Sequence, residues 1–293
     1  MRIAIFGKQF SPSFLPHCLF LCNELRSRGA EIIIYSDFYD FIKSLDSDAI
    51  KVDGTFNSRA ELSDVNVFIS VGGDGTFLEA VTLVRDASIP ILGINSGRLG
   101  FLADVAKEEI ESAMNYIFSG NLKYKQLDLL CLETDAGLFG DLNFALNELT
   151  IQKRDSASMV TIHTYLNGEL LNSYWADGLI IATPTGSTAY SLSVGGPIIH
   201  PSSKSFIINP IAPHNLTVRP IIVPNDMQIT LKVEGRADKF LASLDSRSVV
   251  FEDSIELRVK KADFSISVVD LPGISYNQTL RNKLMWGADK RNY

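Results

Sequence analysis

The stretch Val67-Phe68-Ile69-Ser70-Val71-Gly72-Gly73-Asp74-Gly75-Thr76 decides the fold, because an apolar strand runs directly into three glycines grouped around one carboxylate. A helical pattern from Phe77 to Arg85 follows. Glycines permit positive φ angles and close approach to a ligand, and amides ahead of a helix bind phosphate oxygens. The stretch therefore predicts a strand–loop–helix turn whose Gly72, Gly73 and Gly75 amides hold phosphate. The alternative is a tight turn with a helix-capping aspartate.

The carboxylate of Asp74 is the unusual member of this loop, because an anion inside a phosphate-binding nest repels the phosphate. Its presence makes chemical sense if Asp74 binds Mg²⁺ or accepts the proton of a hydroxyl nucleophile. Two familiar nucleotide loops, Gly-x-x-x-x-Gly-Lys-Ser/Thr and Gly-x-Gly-x-x-Gly, are absent from the sequence. P-loop NTPases and Rossmann dehydrogenases are therefore disfavoured.

The first third of the chain alternates strands and helices. Four apolar strands are predicted, at Ile3–Phe6, Ile32–Tyr35, Val67–Val71 and Ile91–Ile94. This rhythm predicts a mostly parallel sheet flanked by helices, with ligands at the carboxyl ends of the strands. We expect residues 1–120 to form an α/β domain on which the tail, residues 275–293, packs back.

Short β-rich runs dominate from about Leu122 onward. Asn167-Gly168 between two runs predicts a hairpin, and Ile255–Val259 and Phe264–Val269 are predicted as two late strands. Residues 121–274 are therefore expected to form a β-rich domain. A short amphipathic helix is predicted for Thr279–Trp286.

Composition excludes several classes of protein. The 293 residues are 46% hydrophobic and 21% charged, with a formal net charge of −7. This acidic balance disfavours binding to nucleic acid or to an anionic membrane. Three cysteines form neither a disulfide framework nor a metal set, and the N-terminus lacks a signal-peptide pattern. The uncharged stretch 178–203 is too rich in glycine and proline for a membrane helix, so we expect a cytoplasmic protein.

Two further groups of polar residues lie in the β-rich region. Asp177 opens a buried strand that leads into Thr183-Pro184-Thr185-Gly186-Ser187-Thr188-Ala189-Tyr190-Ser191. Ser187, Thr188 and Tyr190 are candidates to bind phosphate or ribose hydroxyls, and a surface Thr/Ser turn is the alternative. The adjacent pair Asn147-Glu148 has the groups to hydrogen-bond a ribose diol or an adenine edge.

These motifs together resemble the NAD kinase family. The resemblance also includes Gly93-Ile94-Asn95-Ser96-Gly97-Arg98-Leu99-Gly100-Phe101-Leu102, Gly195-Gly196-Pro197, Pro210–His214, Arg219-Pro220 and the Leu280–Leu284 tail, in family order. It implies phosphorylation of the adenosine-ribose 2′-hydroxyl of NAD by ATP, giving NADP. It also implies a requirement for Mg²⁺ or another divalent cation, an α/β N-terminal domain, a β-rich NAD-binding domain, and a homodimer or homotetramer.

The resemblance assigns roles residue by residue. Asp74 matches the catalytic aspartate, assigned as proton acceptor, and Gly75 matches a glycine that contacts NAD. Further matches to dinucleotide-binding positions are Asn147, Glu148, Asp177, Thr188, Ala189, Tyr190, Ser191, Leu192 and Ser193.

Two departures from the family pattern stand out. Tyr174-Trp175-Ala176 lies where many relatives carry a basic residue, and Asp245-Ser246-Arg247 replaces Asp-Gly-Gln. Arg247 is a candidate for a phosphate contact. The alternatives are a lipid or sugar kinase that uses the same glycine loop, and a non-catalytic NAD(H)-binding sensor.

Overall fold

The computed structural model describes residues 1–46, 50–97, 99–154, 159–236 and 238–286. The chain divides into two compact units. Unit 1 contains Met1–Gln126 and the chain from Ile266 onward, and unit 2 contains Leu127–Ser265. Arg98, quoted above in a motif, and residues 287–293 of the tail lie outside the described residues.

The sheet of unit 1 is parallel. Its strands are β1 (Arg2–Gly7), β2 (Glu31–Tyr35), β3 (Gly54–Phe56), β4 (Val67–Gly72) and β5 (Ile91–Asn95). Their spatial order is β3-β2-β1-β4-β5, and Val268 adds a parallel pairing to Ile91. All four predicted strands are present, and every neighbouring pair is parallel. The prediction of a parallel sheet is confirmed.

The burial of its strands explains why this sheet is parallel and covered by helices. Strand β4 is buried along its whole length, as expected for a strand covered on both faces. The helices of unit 1 are α1 (Leu15–Ser27), α2 (Ser36–Leu45), α3 (Asp74–Val84), α4 (Ile110–Ile117) and a C-terminal helix, Tyr276–Leu284. Helix α1 buries Cys18 and Cys22 as free thiols.

Helix α3 begins earlier than the sequence pattern indicates. Its first residue is Asp74, and Gly73 is the N-cap with extended backbone angles, φ −105° and ψ −170°. A carboxylate in the first turn is stabilised by the positive end of the helix dipole. The predicted loop is therefore mostly the first turn of the helix.

Unit 2 is built from antiparallel strands. They are β6 (Tyr124–Glu133), which begins in unit 1, β7 (Phe144–Ala145), β8 (Glu148–Lys153), β9 (Val160–Leu166), β10 (Glu169–Ala176), β11 (Gly178–Ala182), β12 (Ser205–Ile211), β13 (Ile221–Pro224), β14 (Ile229–Gly235), β15 (Lys239–Leu244), β16 (Arg247–Glu252) and β17 (Leu257–Val269), which ends in unit 1. Six of them form a sheet in the order β13-β12-β11-β8-β15-β16. The predicted β-rich character is confirmed.

Two details of unit 2 test the sequence patterns. The hairpin at Asn167-Gly168 is present, with φ angles of 48° and 87° and Leu166 paired to Glu169. The prediction of two separate late strands was wrong, because Leu257–Val269 is one continuous strand of 13 residues. Among the described helices, none combines the length and apolar character needed to cross a bilayer.

Candidate active site

The carboxylate of Asp74 is fixed by three consecutive backbone amides. Phe101 N donates to Oδ2 at 2.9 Å, while Leu102 N and Ala103 N donate to Oδ1 at 2.9 and 3.0 Å. An ionised carboxylate has about four lone-pair positions, two on each oxygen. Among the described residues Oδ1 is therefore fully used, and Oδ2 keeps one position for a further donor or a cation.

Glycines make room for this arrangement. A Cβ added to Gly100 would lie 2.0 Å from Oδ1 of Asp74, so only glycine allows the carboxylate to approach this loop. A Cβ on Gly72 would lie 2.3 Å from Oγ1 of Thr76. Gly100 was quoted above only as part of a motif, and its contact with Asp74 was not predicted. The only hint in the sequence is its position directly before Phe101 and Leu102, whose amides bind the carboxylate.

Gly72, Gly73 and Gly75 differ in their surroundings: Gly72 packs closely against Thr76, whereas Gly73 and Gly75 are exposed. None of the three has a positive φ, so they are not needed here for a left-handed backbone conformation. Gly73 and Gly75 are exposed, and nothing lies within 4 Å of a Cβ built on either. Their open surface at the start of α3 suits the approach of a phosphate.

A second acid lies close to Asp74 in unit 1. Burial raises the pKa of Asp104 to about 7; Lys125 opposes this shift, and Glu109 and Asp74 add to it. Asp104 is therefore substantially protonated near neutral pH. This protonation limits the negative charge around Asp74.

Cavities open at the carboxyl ends of the parallel strands, at the edge where ligands were predicted. One of about 460 Å³ is lined by Ser11 and Ser13 after β1 and by Asn95, Ser96 and Gly97 at the end of β5. Another, of about 610 Å³, lies at the ends of β1 and β2. Both volumes fall within the range of small-molecule sites.

In unit 2, Asn147 and Glu148 lie at the start of β8, and both are buried. Their backbone is held by Thr183, whose amide donates to Asn147 O at 2.8 Å and whose hydroxyl donates to Leu146 O at 2.5 Å. A Cβ on Gly186 would lie 2.1 Å from Asn147 O. The structure thus brings the Asn-Glu pair against the start of the hydroxyl-rich loop.

Asp245 holds the same segment from the turn between β15 and β16. Its carboxylate accepts hydrogen bonds from the amides of Leu146, Asn147 and Glu148, at 3.0, 2.8 and 3.2 Å. Sequence reasoning quoted Asp245 only as part of a departure from the family pattern. No local signal indicated an aspartate that bonds amides about 100 residues away.

The two serines Ser187 and Ser191 are fully buried, and their hydroxyls serve the fold. Ser187 Oγ donates to Pro184 O at 2.6 Å and accepts from Ile199 N at 3.0 Å. Ser191 Oγ lies 3.1 Å from the amide nitrogen of the Asn209 side chain. In this structure both hydroxyls bond within the protein.

The rest of the hydroxyl-rich loop is more accessible. It forms a 3-10 helix at Thr185–Thr188 and a four-residue helix, α5 (Tyr190–Ser193). Tyr190 and Ser193 are exposed, whereas Thr188, Ala189 and Leu192 are half-buried. The Tyr190 hydroxyl bonds the side chain of Gln152 at 3.1 Å. These five residues offer an accessible surface, and their contacts with a ligand stay a prediction.

Two charged candidates of unit 2, Asp177 and Arg247, already have partners. Lys153 Nζ lies 2.5 Å from Oδ1 of Asp177, in a half-exposed ion pair. Arg247 donates to the carbonyls of Leu142 and Phe144, and its Nη2 lies 3.9 Å from Oδ2 of Asp245. A phosphate contact of Arg247 stays a prediction, and the contacts observed are structural.

Trp175 occupies the position where a basic residue is common. Its ring is half exposed, and its centroid lies 5.0 Å from that of His214. Across the residues that the structure describes, no three His, Cys, Asp or Glu side chains are grouped to hold a metal ion.

Comparison with known proteins covers almost the whole chain. Residues 49–122 match the ATP-NAD kinase N-terminal domain, and residues 146–271 match the ATP-NAD kinase C-terminal domain. NAD kinases of Cytophaga hutchinsonii and Flavobacterium johnsoniae are each 47% identical, over 292 and 296 residues, with all of both chains covered.

Solved structures with the same fold include an NAD kinase from Archaeoglobus fulgidus in complex with ATP, with a TM-score of 0.75 and 25% identity over 97% of this chain and 98% of that one. Yeast NADH kinase complexed with NADH has a TM-score of 0.85 and 22% identity over 98% of this chain and 88% of that one, a likeness of fold alone. These matches give no support to the lipid- or sugar-kinase and sensor alternatives.

Proposed function

The chain belongs to the NAD kinase family, and on that premise we propose that Asp74 accepts the proton of the reacting hydroxyl. The reaction is transfer of the γ-phosphoryl group of ATP to the adenosine-ribose 2′-hydroxyl of NAD, which yields NADP and ADP. The 2′-oxygen forms a bond to phosphorus as the bond from the γ-phosphorus to the β–γ bridging oxygen breaks. The hydroxyl proton passes to the carboxylate.

The observation that carries this proposal is the lone-pair position on Oδ2 of Asp74 that no donor among the described residues fills. Three amides hold the carboxylate in place, so it is rigidly positioned. In a loose phosphoryl-transfer transition state, positioning and charge stabilisation contribute more than covalent chemistry by the protein. A carboxylate in a fixed position suits that task.

The loop beside Asp74 is assigned to the triphosphate. The exposed glycines Gly73 and Gly75 allow phosphate oxygens to approach the first turn of α3, where unpaired amides and the helix dipole favour negative charge. Gly72 ends β4 and sets the loop's path by packing against Thr76. The cavities at this edge have the volume to hold the remainder of a nucleotide.

The metal ion stays a prediction. The chemistry that Mg²⁺ supplies in such a reaction is neutralisation of phosphate charge. Oδ2 of Asp74 is the candidate protein ligand, and the residues present fit an ion whose other ligands are ATP oxygens and water. Metal ligation and proton acceptance need the same lone pair, so we assign proton acceptance to Asp74 during transfer.

The dinucleotide is assigned to unit 2. Asn147 and Glu148 present an amide and a carboxyl group from a backbone held on two sides, and the accessible residues of the loop from Thr188 to Ser193 lie in the segment that follows Gly186. Asp177 completes the set. Assembly into a homodimer or homotetramer and location in the cytoplasm stay predictions.

The decisive experiment is the substitution Asp74→Asn. The amide keeps one oxygen for the Leu102 and Ala103 amides but no longer accepts a proton, so we expect turnover to fall by about 10²–10⁴. NAD affinity, measured by calorimetry without ATP, should stay within about threefold of the parent value, a change below about 1 kcal/mol. Glu111→Gln, which neutralises an exposed acid in the first turn of α4, is the matched control and should keep full turnover. Turnover of Asp74→Asn within about threefold of the parent value would refute the assigned role.

A further inference from the structure

The side chain of Asp245 is buried in a strained turn. It is 5% exposed, and the residue has a positive φ of 52°, which is uncommon for a residue other than glycine. The Asp245 amide also donates to Glu148 O at 3.0 Å. Together with the three amide bonds to its carboxylate, this makes Asp245 the main tether between the β15–β16 turn and the segment Leu146–Glu148.

The same device is present in unit 1. There, one aspartate carboxylate captures three successive amides, those of Phe101, Leu102 and Ala103. A carboxylate that bonds consecutive amides fixes the direction of the backbone that carries them, because each amide must point at one acceptor. In unit 2 the backbone fixed in this way carries Asn147 and Glu148.

The carboxyl group of Glu148 has one oxygen without a partner. Glu148 is buried, and among the described residues its Oε2 makes no hydrogen bond. A buried polar atom without a partner is costly, and such atoms often mark a place where a ligand binds. A donor group of a ligand would satisfy it.

The charges that face Glu148 come from two elements. Burial first, and the Asp245 carboxylate second, raise the pKa of Glu148 to about 8, against the opposing effect of a hydrogen bond from the Tyr190 amide on α5. Arg247, on β16, lies on the Asp245 side of this pair, 3.9 Å from Oδ2 of Asp245. On β8 itself, Lys153 is paired with Asp177.

We propose that Asp245 is a positioning residue for dinucleotide binding: its three amide bonds and its negative charge hold Glu148 with Oε2 ready for a hydrogen-bond donor of the ligand. The proposal rests on the proposed function only in taking NAD as that ligand. A ribose hydroxyl or a ring amino group has the required donor. The donor favours the ionised carboxylate, so its binding releases the proton of Glu148 to the solvent, and NAD affinity rises with pH up to about 8.

The test is Asp245→Asn, with Ser246→Ala in the same turn as the matched control, because Ser246 is exposed. We expect KM for NAD to rise about tenfold, with kcat within about threefold of the parent value. The pH midpoint of kcat/KM for NAD should move to lower pH, because the charge that holds the proton on Glu148 is gone. A residue that only stabilises the fold would leave this midpoint unchanged.

A second variant keeps the proposal falsifiable if Asp245→Asn does not fold. Glu148→Gln carries no titrating carboxyl group, so NAD affinity measured by calorimetry should no longer rise between about pH 6 and about pH 8.5. A parental pH profile in Glu148→Gln, or a parental KM and midpoint in folded Asp245→Asn, would overturn the proposal. Failure of the proposed function is a different result: the unsubstituted protein would then form no NADP from NAD and ATP.

Discussion

Gly100→Ala tests the close contact between the segment that carries Gly100 and the carboxylate of Asp74. The added Cβ would lie 2.0 Å from Oδ1 and 2.7 Å from Cγ of Asp74. Both distances are far below van der Waals contact, so either the carboxylate or the Phe101–Ala103 backbone must move. Movement of either breaks the hydrogen bonds to Oδ1.

The cost follows from which groups are left unpaired. Asp74 is half-buried, and water would solvate its carboxylate after displacement. Leu102 and Ala103 are buried, and each unpaired buried amide costs about 1–3 kcal/mol. Replacing glycine by alanine also lowers the conformational entropy of the unfolded chain, which stabilises the folded protein by about 0.4–1 kcal/mol. The expected loss in the free energy of unfolding is therefore about 1–5 kcal/mol.

Urea unfolding gives the stability, and steady-state kinetics give the effect on turnover. Gly97→Ala is the matched control, since Gly97 lies in the same loop, its φ is not positive, and nothing lies within 4 Å of its Cβ position. We expect the control to be as stable as the parent or slightly more stable, whereas Gly100→Ala loses both stability and turnover. A Gly100→Ala protein with parental stability and kcat would show that Asp74 does not need this contact.

Two further predictions concern unit 2. Ser187→Ala should lower the free energy of unfolding by about 1–3 kcal/mol, because the hydrogen bonds to Pro184 and Ile199 are lost. Ser193 is exposed, so the control Ser193→Ala should change the free energy of unfolding by less than about 0.5 kcal/mol. Equal effects of the two substitutions would contradict the structural role of Ser187. Glu148→Gln should alter the pH dependence of stability, because the pKa of Glu148 is raised from 4.5 in an unfolded chain to about 8. The protonated carboxyl group of Glu148 contributes its full stabilisation below about pH 4.5. As the pH rises from there towards 8, the free energy of unfolding of the parent falls by up to about 1.4 kcal/mol for each pH unit. Urea unfolding should therefore show the free energy of unfolding of Glu148→Gln rising relative to that of the parent up to about pH 8 and not beyond. A difference in the free energy of unfolding that does not depend on pH would exclude a raised pKa of Glu148.

The sequence was most informative where local pattern and burial agree. Continuous apolar runs such as Val67–Val71 predicted a parallel sheet, because a strand covered on both faces has no polar face to alternate. Asn167-Gly168 predicted its hairpin, because that turn needs two positive φ angles. The glycine loop and Asp74 were found as a candidate site for a comparable reason, since their residue types are unusual at a strand–helix junction.

Long-range contacts could not be predicted from local pattern. The two predicted strands left out residues 260–263, which include Lys260, Lys261 and Asp263, whereas the observed strand runs through them. Ser187 looked like a ligand-binding hydroxyl, because nothing in its neighbourhood in sequence indicates that Ile199 folds back onto it. Asp245 contacts amides 97 to 99 positions away, and the sequence carries no periodic signal for such a bond.

The aspartates at 74 and 245 both hold main-chain N–H groups, which every amino acid except proline provides. The hydrogen bonds of both anchors therefore do not depend on which side chains stand at positions 101, 102 and 146, whereas proline at any of these positions would delete a donor. At Leu102 and Leu146 the choice of side chain is limited by packing instead, because both leucines are buried.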